Sequence, residues 1–233
     1  MDIYVGIDDT DSLESRGTGR LARGIAADLG RSHPIFGVTR HQLFVHPEIP
    51  YTSHNSAAVI HVRGCREDDA ERIFLSVKRL MLDDFVEGSD PGLAVATSEQ
   101  VTPGMVAFGL DAKRAIVTKQ RATDVAGNAG LAFGELGGTG GGIIGAVAGI
   151  GLASMGSDGR FLMKGSSRDL KGSTRSLPEV LAAGIDQVMT LDGRTIREGT
   201  IDLFRSANPS LVRGKAVLFV EEQGDSLVAL KRD

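Results

Sequence analysis

The chain has 233 residues, of which 41% are hydrophobic and 24% are charged, and its formal net charge is −4. This composition is typical of a globular protein, and the lack of a strongly basic segment argues against a dedicated nucleic-acid binder. The single cysteine, Cys65, excludes an intrachain disulfide bond and a zinc site built from several thiolates, and we interpret it as a bystander.

The N-terminal stretch, residues 3–29, predicts a strand, a loop and a helix. Residues 3–7 are an apolar run of β-branched and aromatic side chains, which is typical of a buried strand. From Leu21 to Leu29, apolar residues recur with the spacing of one helix face. The loop between the strand and the helix contains the first candidate site.

Three carboxylates directly follow this strand: Asp8, Asp9 and Asp11. Side chains two residues apart share a face of an extended backbone, so Asp9 and Asp11 point together and Asp8 points away. Carboxylate and phosphate oxygens are preferred ligands of Mg²⁺. The sequence therefore predicts a Mg²⁺ site on these acids, with turn formation or helix capping as the alternative.

The rest of the loop has the composition of a phosphate-binding segment. Gly17, Thr18 and Gly19 precede the helix, where backbone N–H groups and the helix dipole favour an anion. Arg16 and Arg20 flank them and offer charge-assisted hydrogen bonds to phosphate. We predict that these residues bind the phosphates of a cofactor.

The remaining chain alternates strands and helices, as in an α+β protein. Further strands are predicted at 34–38, 42–45, 57–62, 93–96, 161–164, 200–204, 216–220 and 227–230. Further helices are predicted at 68–81, 111–126, 143–154 and 178–189.

One histidine lies in a polar, proline-braced loop. His54 is a candidate general acid or base because its unperturbed pKa is near neutrality, and Asn55 beside it is a candidate ligand-binding residue. The alternative is that both residues only hold the loop together. His61 lies within a predicted strand and is interpreted as a satisfied core or edge residue.

Glycine is concentrated in residues 127–153. Gly140, Gly142 and Gly145 match G-x-G-x-x-G, but a poor strand precedes them, so a dinucleotide-binding fold is not favoured. We expect these glycines instead to let the backbone approach a ligand or another helix closely, with Gly140 and Gly142 near the cofactor. The apolar run 143–153 is too short to cross a bilayer, and no signal core is present, so we expect a cytoplasmic protein without membrane contact.

Three segments in order resemble the archaeal tRNA-Ile agmatinylcytidine synthetases, the TiaS family. They are V-G-I-D-D-T-D-S at 5–12, P-E-I-P-Y-T-S-H-N-S-A-A-V at 47–59, and G-G-T-G-G-G-I-I-G-A-V-A-G-I-G at 137–151. The resemblance spans about two thirds of the chain. It implies a kinase-like α/β domain, expected at 1–109, followed by a ferredoxin-like α+β domain, expected at 110–233.

The resemblance also implies chemistry. Members of that family use ATP to activate a tRNA cytidine and attach agmatine. By resemblance, the three acids hold Mg-ATP, and Gly17, Thr18 and Arg20 line the phosphate loop. Together with His54, the candidate acid or base, the predicted catalytic set is Asp9, Asp11, Thr18 and His54. We expect an ATP-dependent transferase or ligase acting on a small substrate such as an amine. The sequence is also compatible with a homo-oligomer.

Several positions differ from the family pattern. The Cys-Thr-Thr that follows the acids is missing, the basic K-T-R is Thr52-Ser53-His54, and the arginine of G-R-G is Gly141. The resemblance does not extend to the oligonucleotide-binding and zinc-ribbon domains with which that family grips tRNA, so direct tRNA binding is not expected. Two alternatives stay open: a catalytically inactive ligand-binding or regulatory module, and a phosphatase of the haloacid dehalogenase type.

Overall fold

The computed structural model describes residues 1–10, 17–49, 54–66, 68–224 and 226–232. These residues form two compact units, Met1–Met155 and Gly156–Asp233, and each unit contains both helices and strands. The predicted α+β class with two units is confirmed.

The first unit contains the elements that position the candidate site. In chain order they are β1 (Ile3–Asp8), α1 (Thr18–Leu29), β2 (Ile35–Gln42), β3 (Ser56–Val62), α2 (Asp69–Asp83), β4 (Gly92–Thr97), α3 (Pro103–Ala112), α4 (Lys119–Asn128), β5 (Ala132–Glu135) and α5 (Ile143–Ser154). Its antiparallel strands lie in the order β5-β4-β1-β3-β2.

The sequence from β1 to β4 has the βαββαβ order of a ferredoxin-like fold. This topology occurs in the first unit, whereas the sequence analysis expects it after residue 110. That expectation comes from the resemblance, and hydrophobic periodicity could not correct it because it identifies strands but not their neighbours in a sheet. The boundary expected after residue 109 lies within α3, and the elements from α4 to α5 pack in the same unit.

Helices cover both faces of this sheet. On one face, α5 packs against β1, β3 and β4, and α3 and α4 pack against α5. Because strand side chains alternate, Gly6 faces α5 while Val5 and Ile7 are buried on the opposite face. That face is covered by α1 and α2, which contact each other and the sheet. The buried face of α1 includes Ile25 and Leu29, as its periodicity predicts.

Two predicted helices have different limits in the structure. The segment 111–126 is divided between α3 and α4, each begun by a threonine whose hydroxyl accepts a backbone hydrogen bond: Thr102 from Met105 at 3.3 Å and Thr118 from Arg121 at 3.2 Å. The segment 178–189 is helical only at its start, because Gly184, with φ of 101°, turns the chain into a strand.

The second unit is smaller. Its elements are β6 (Arg160–Met163), a 3-10 turn (Ser167–Leu170), β7 (Thr174–Ser176), α6 (Leu177–Ala182), β8 (Gln187–Thr190), β9 (Thr200–Asp202), β10 (Ser210–Val212), β11 (Lys215–Gln223) and β12 (Ser226–Ala229). The strands follow the order β6-β10-β11-β12-β9-β7, and β8 pairs in parallel with β11. Nowhere in the described ranges is a helix long and apolar enough to span a bilayer.

Candidate functional site

The first two predicted acids lie where β1 ends. Asp8 is the last residue of β1 and pairs with Gly92, the first residue of β4. Asp9 has a backbone φ of 51°, and its carbonyl oxygen accepts a hydrogen bond of 3.0 Å from the N–H of Asp90. A positive φ is uncommon outside glycine but is tolerated by aspartate. The end of β1 is therefore fixed against the turn that precedes β4.

The Asp90 carboxylate occupies the glycine-rich turn before α5. It accepts hydrogen bonds from the Thr139 hydroxyl at 2.5 Å, the Gly140 N–H at 2.6 Å and the Gly141 N–H at 3.0 Å. Gly138 and Gly140 have positive φ angles of 59° and 79°, which direct consecutive N–H groups inward. A carboxylate of the chain itself thus occupies the anion-binding turn that leads into α5.

A second charged pair packs on the same turn. The Lys119 ammonium donates hydrogen bonds to the Glu135 carboxylate at 3.0 Å and to the carbonyl oxygen of Thr139 at 2.8 Å. A Cβ atom added to Gly140 would overlap the Glu135 carboxylate. Asp90 and Glu135 carry no local sequence motif, and each lies far along the chain from the acids of β1, so only the structure identifies them.

Glycines of α5 leave room for the acids of β1. A Cβ atom at Gly145 would overlap the Asp8 carboxylate, and one at Gly142 would overlap the backbone of Asp90 and lie 2.6 Å from the nitrogen of Gly92. Close approach to another helix, as expected, occurs at Gly151, where an added Cβ atom would overlap the carbonyl oxygen of Met105 in α3. At Gly142 and Gly145 the tract instead approaches residues at the ends of the strands. The Asp8 side chain therefore lies beside the first turn of α5.

The loop from β1 to α1 is anchored at both described ends. The Thr10 hydroxyl donates a hydrogen bond to the Thr18 hydroxyl at 3.1 Å. Gly17 has a φ of 82°, and its carbonyl oxygen accepts from the Arg20 N–H at 2.9 Å. Gly19 and Arg20 lie in the first turn of α1, so the predicted phosphate residues 17–20 all lie at its start.

Two predicted site residues fall outside the described ranges. These are Asp11 and Arg16, and the structure carries no information on their placement. Their predicted roles, as a Mg²⁺ ligand and a phosphate-binding residue, stay predictions. The same is true of Thr52 and Ser53 in the segment before His54.

Of the two candidate residues in the loop before β3, His54 and Asn55, the second has a structural role. The Asn55 side-chain amide donates a hydrogen bond to the carbonyl oxygen of Phe44 at 2.6 Å, and the Asn55 carbonyl oxygen accepts from the Gln42 side chain at 2.8 Å. Asn55 therefore joins the ends of β2 and β3. His54, beside it, is exposed. His61 is buried, and its Nε2 lies 2.8 Å from the Thr39 hydroxyl, as expected for a satisfied core residue.

Only one group of three potential metal ligands converges among the described residues, and it does not include Asp8 or Asp9. It consists of His33, Cys65 and Asp69, whose ligand atoms all lie within 4.8 Å of one another. It lies near Met1, which precedes β1, whereas Asp8 ends that strand. Burial, followed by the Asp69 charge, raises the pKa of the Cys65 thiol, so this cysteine is not an activated nucleophile.

Comparison with known proteins gives matches among solved structures. No protein-family model and no curated protein matches the sequence. A structure described as a tRNA fluorescent labeling enzyme is 27% identical, with a TM-score of 0.56, over 65% of this chain and 36% of that chain. The complex of TiaS with an isoleucine tRNA and ATP is 25% identical, with a TM-score of 0.55 and the same coverage.

A third structure extends this result. The complex of TiaS with the same tRNA, AMPCPP and agmatine is 25% identical, with a TM-score of 0.55, over 64% of this chain and 36% of that chain. The resemblance to TiaS that the three sequence segments predict is therefore confirmed by structural similarity. The chain spans little more than a third of the length of these proteins.

Proposed function

From its similarity to TiaS, we propose that the chain binds Mg²⁺ together with ATP, or another phosphorylated ligand, where β1 ends and α1 begins. The ligand activates a small substrate such as an amine, in a transferase or ligase reaction. The observation that carries this proposal is the match to TiaS structures whose descriptions include ATP and, in one case, AMPCPP with agmatine. The position of Asp8 and Asp9 at the end of β1 supports it.

The contrast between two helix starts supports a phosphate position at the start of α1. In the turn that leads into α5, the N–H groups of Gly140 and Gly141 already donate to the Asp90 carboxylate. The first turn of α1 contains no acid, and its N-cap residue, Gly17, has no side chain with which to cap the helix. Because a helix N-terminus attracts anions, we assign the phosphates to Gly17, Thr18, Gly19 and Arg20, with Arg16 as a further candidate.

The donor set suits the proposed metal. Asp8, Asp9 and Asp11 offer hard carboxylate oxygens, which Mg²⁺ prefers, and they leave coordination positions for water and phosphate. When bound, Mg²⁺ neutralises negative charge on the transferred phosphoryl group. In this proposal Arg20 positions the phosphates, Thr18 contacts them, and His54 exchanges a proton with the small substrate.

A ligand-binding module without catalysis is the second candidate. Two sequence differences favour it: Gly141 replaces the arginine of the family pattern, and Thr52-Ser53-His54 replace its basic residues. As a glycine, residue 141 supplies no positive side chain to a phosphate. Its N–H is in addition already bonded to Asp90. Binding without turnover would identify this alternative.

Calorimetric titration with ATP tests the proposal, in Mg²⁺ and again in excess chelator. We expect binding that requires Mg²⁺ and weakens at least about tenfold in Asp9→Asn, because a carboxylate ligand is lost. The matched control is Asp83→Asn, which changes an exposed acid at the end of α2. Absence of binding at millimolar ATP, or equal affinity in both variants, would contradict the proposal. Measuring nucleotide hydrolysis with and without agmatine then distinguishes the two hypotheses, since turnover is expected of an enzyme and not of a binding module.

A further inference from the structure

We propose that His33, Cys65 and Asp69 form a binding site for a zinc-type divalent transition-metal ion, independent of the ATP site. Their nitrogen, sulfur and oxygen atoms come within 4.8 Å of one another from three separate segments of the first unit. Imidazole, thiolate and carboxylate are the ligand types of protein-bound Zn²⁺, and three such ligands leave one position open. A hard cation such as Mg²⁺ does not favour the sulfur ligand.

Two of the three ligand residues, Cys65 and Asp69, are fixed in position by hydrogen bonds with the backbone. Cys65 follows Gly64, whose φ is 66°, and exchanges two hydrogen bonds with Met1: its N–H donates at 2.9 Å and its carbonyl oxygen accepts from the terminal amine at 3.1 Å. Asp69 begins α2, and its Oδ2 accepts from the Arg66 N–H at 2.7 Å. Little chain rearrangement is therefore needed to bring the ligands onto one ion.

The distance between two of the ligands suits a shared ion. The Nε2 of His33 lies 3.8 Å from Oδ2 of Asp69, which exceeds the length of a hydrogen bond. Bonds from zinc to nitrogen and oxygen are each about 2 Å long, so both atoms reach one ion from this separation. The Cys65 sulfur lies within the same group.

Neighbouring groups orient the ligands. The Ser32 hydroxyl donates to the carbonyl oxygen of Leu29 at 3.3 Å and lies 2.9 Å from Nδ1 of His33. With Nδ1 as the hydrogen-bond donor to Ser32, the Nε2 lone pair faces Asp69 and is available to a metal. Arg72 is bonded to Oδ1 of Asp69, which leaves Oδ2 on the side of His33.

An entry path is present. A cleft of about 540 Å³ is lined by His33, Asp69 and Arg66, among others, and Gly64, next to Cys65, also lines it. The cleft gives solvent access to His33 and Asp69 and has room for water or a small anion in the open coordination position. The expectation that Cys65 is a bystander rests on sequence spacing, which does not reveal that His33 and Asp69 lie beside it.

Cobalt titration of the intact chain tests this site. Co²⁺ occupies zinc sites, and a thiolate ligand gives it a near-ultraviolet charge-transfer band. Because the chain has one cysteine, such a band is assignable to Cys65. We expect a 1:1 complex, a band that Zn²⁺ abolishes by displacement, and loss of the band in Cys65→Ser. With Zn²⁺ at a hundredfold excess over its Kd, we expect the Tm to rise by about 5 °C or more.

Two matched pairs separate a three-ligand site from a metal bound to the thiolate alone. His33→Gln and Asp69→Asn are expected to weaken Co²⁺ binding at least tenfold, whereas the controls His46→Gln and Asp68→Asn leave it unchanged. His33→Gln is decisive if Asp69→Asn fails to fold, since the His33 side chain is partly exposed whereas that of Asp69 is buried. No band, a complex of two chains per ion, or equal affinity in His33→Gln and His46→Gln would overturn the proposal.

Discussion

At the scale of single residues, Asp90 is the side chain on which the candidate site depends most clearly. Its carboxylate satisfies the donors that precede α5, and its own N–H holds the Asp9 carbonyl oxygen. One residue therefore links the end of β1, the start of β4 and the start of α5. The sequence predicts the acids of β1 from their position after a strand, but it contains no signal for Asp90, whose partners lie 49 to 51 residues away.

Asp90→Ala should lower the free energy of unfolding by about 2 kcal/mol, because the N–H groups of Gly140 and Gly141 lose their acceptor. Urea denaturation measures this change. Thr139→Val removes one of the three hydrogen bonds and should cost about 1 kcal/mol. Glu87→Ala, a change of an exposed acid in the same connection, serves as the control. Equal stability of Asp90→Ala and Glu87→Ala would show that the glycine turn does not need this carboxylate.

At the scale of elements, the contact between α5 and the sheet is made by backbone as much as by side chains. A Cβ atom at Gly6 of β1 would overlap the carbonyl oxygen of Ala146, and one at Gly92 of β4 would overlap the backbone of Gly142. The sequence predicts both the limits of α5 and a close approach of its glycines. It does not identify the partner, because sheet order depends on contacts far apart in the chain.

Two glycine substitutions separate packing from backbone preference. Gly6→Ala should destabilise the chain by about 2–3 kcal/mol, since the new methyl group meets backbone that cannot rotate away. Gly24→Ala lies on α1, where an added Cβ meets nothing within 4 Å, and should stabilise it by about 0.5–1 kcal/mol. Both values follow from urea denaturation. A Gly6→Ala variant as stable as the unchanged chain would contradict the close packing of α5.

At the scale of the whole molecule, the two units have separate cores. One buried cluster includes Phe108, Ile143 and Ile150, all in the first unit, and another includes Val180, Ile201 and Leu218, all in the second. Composition and periodicity predict the α+β class, but the expected boundary after residue 109 assigns α5 to the other domain. The local pattern of α5 is that of a buried helix, and only tertiary contacts show which sheet buries it.

A fragment of residues 1–155 should therefore fold by itself, with a single cooperative transition in urea followed by circular dichroism. A fragment of residues 1–109 should not, because it lacks α5 and leaves one face of the sheet uncovered. Cooperative unfolding of the shorter fragment, or an unfolded longer one, would contradict the division into these units.

The close backbone contacts between α5 and the sheet have a consequence for finding distant relatives. Catalytic acids can be exchanged when a lineage changes its substrate, whereas a methyl group at Gly6, Gly92 or Gly142 would separate two layers of the architecture. Homologues that have diverged in chemistry should therefore retain small residues at these three positions. A search template built on their spacing should recover members that a template built on the aspartates overlooks.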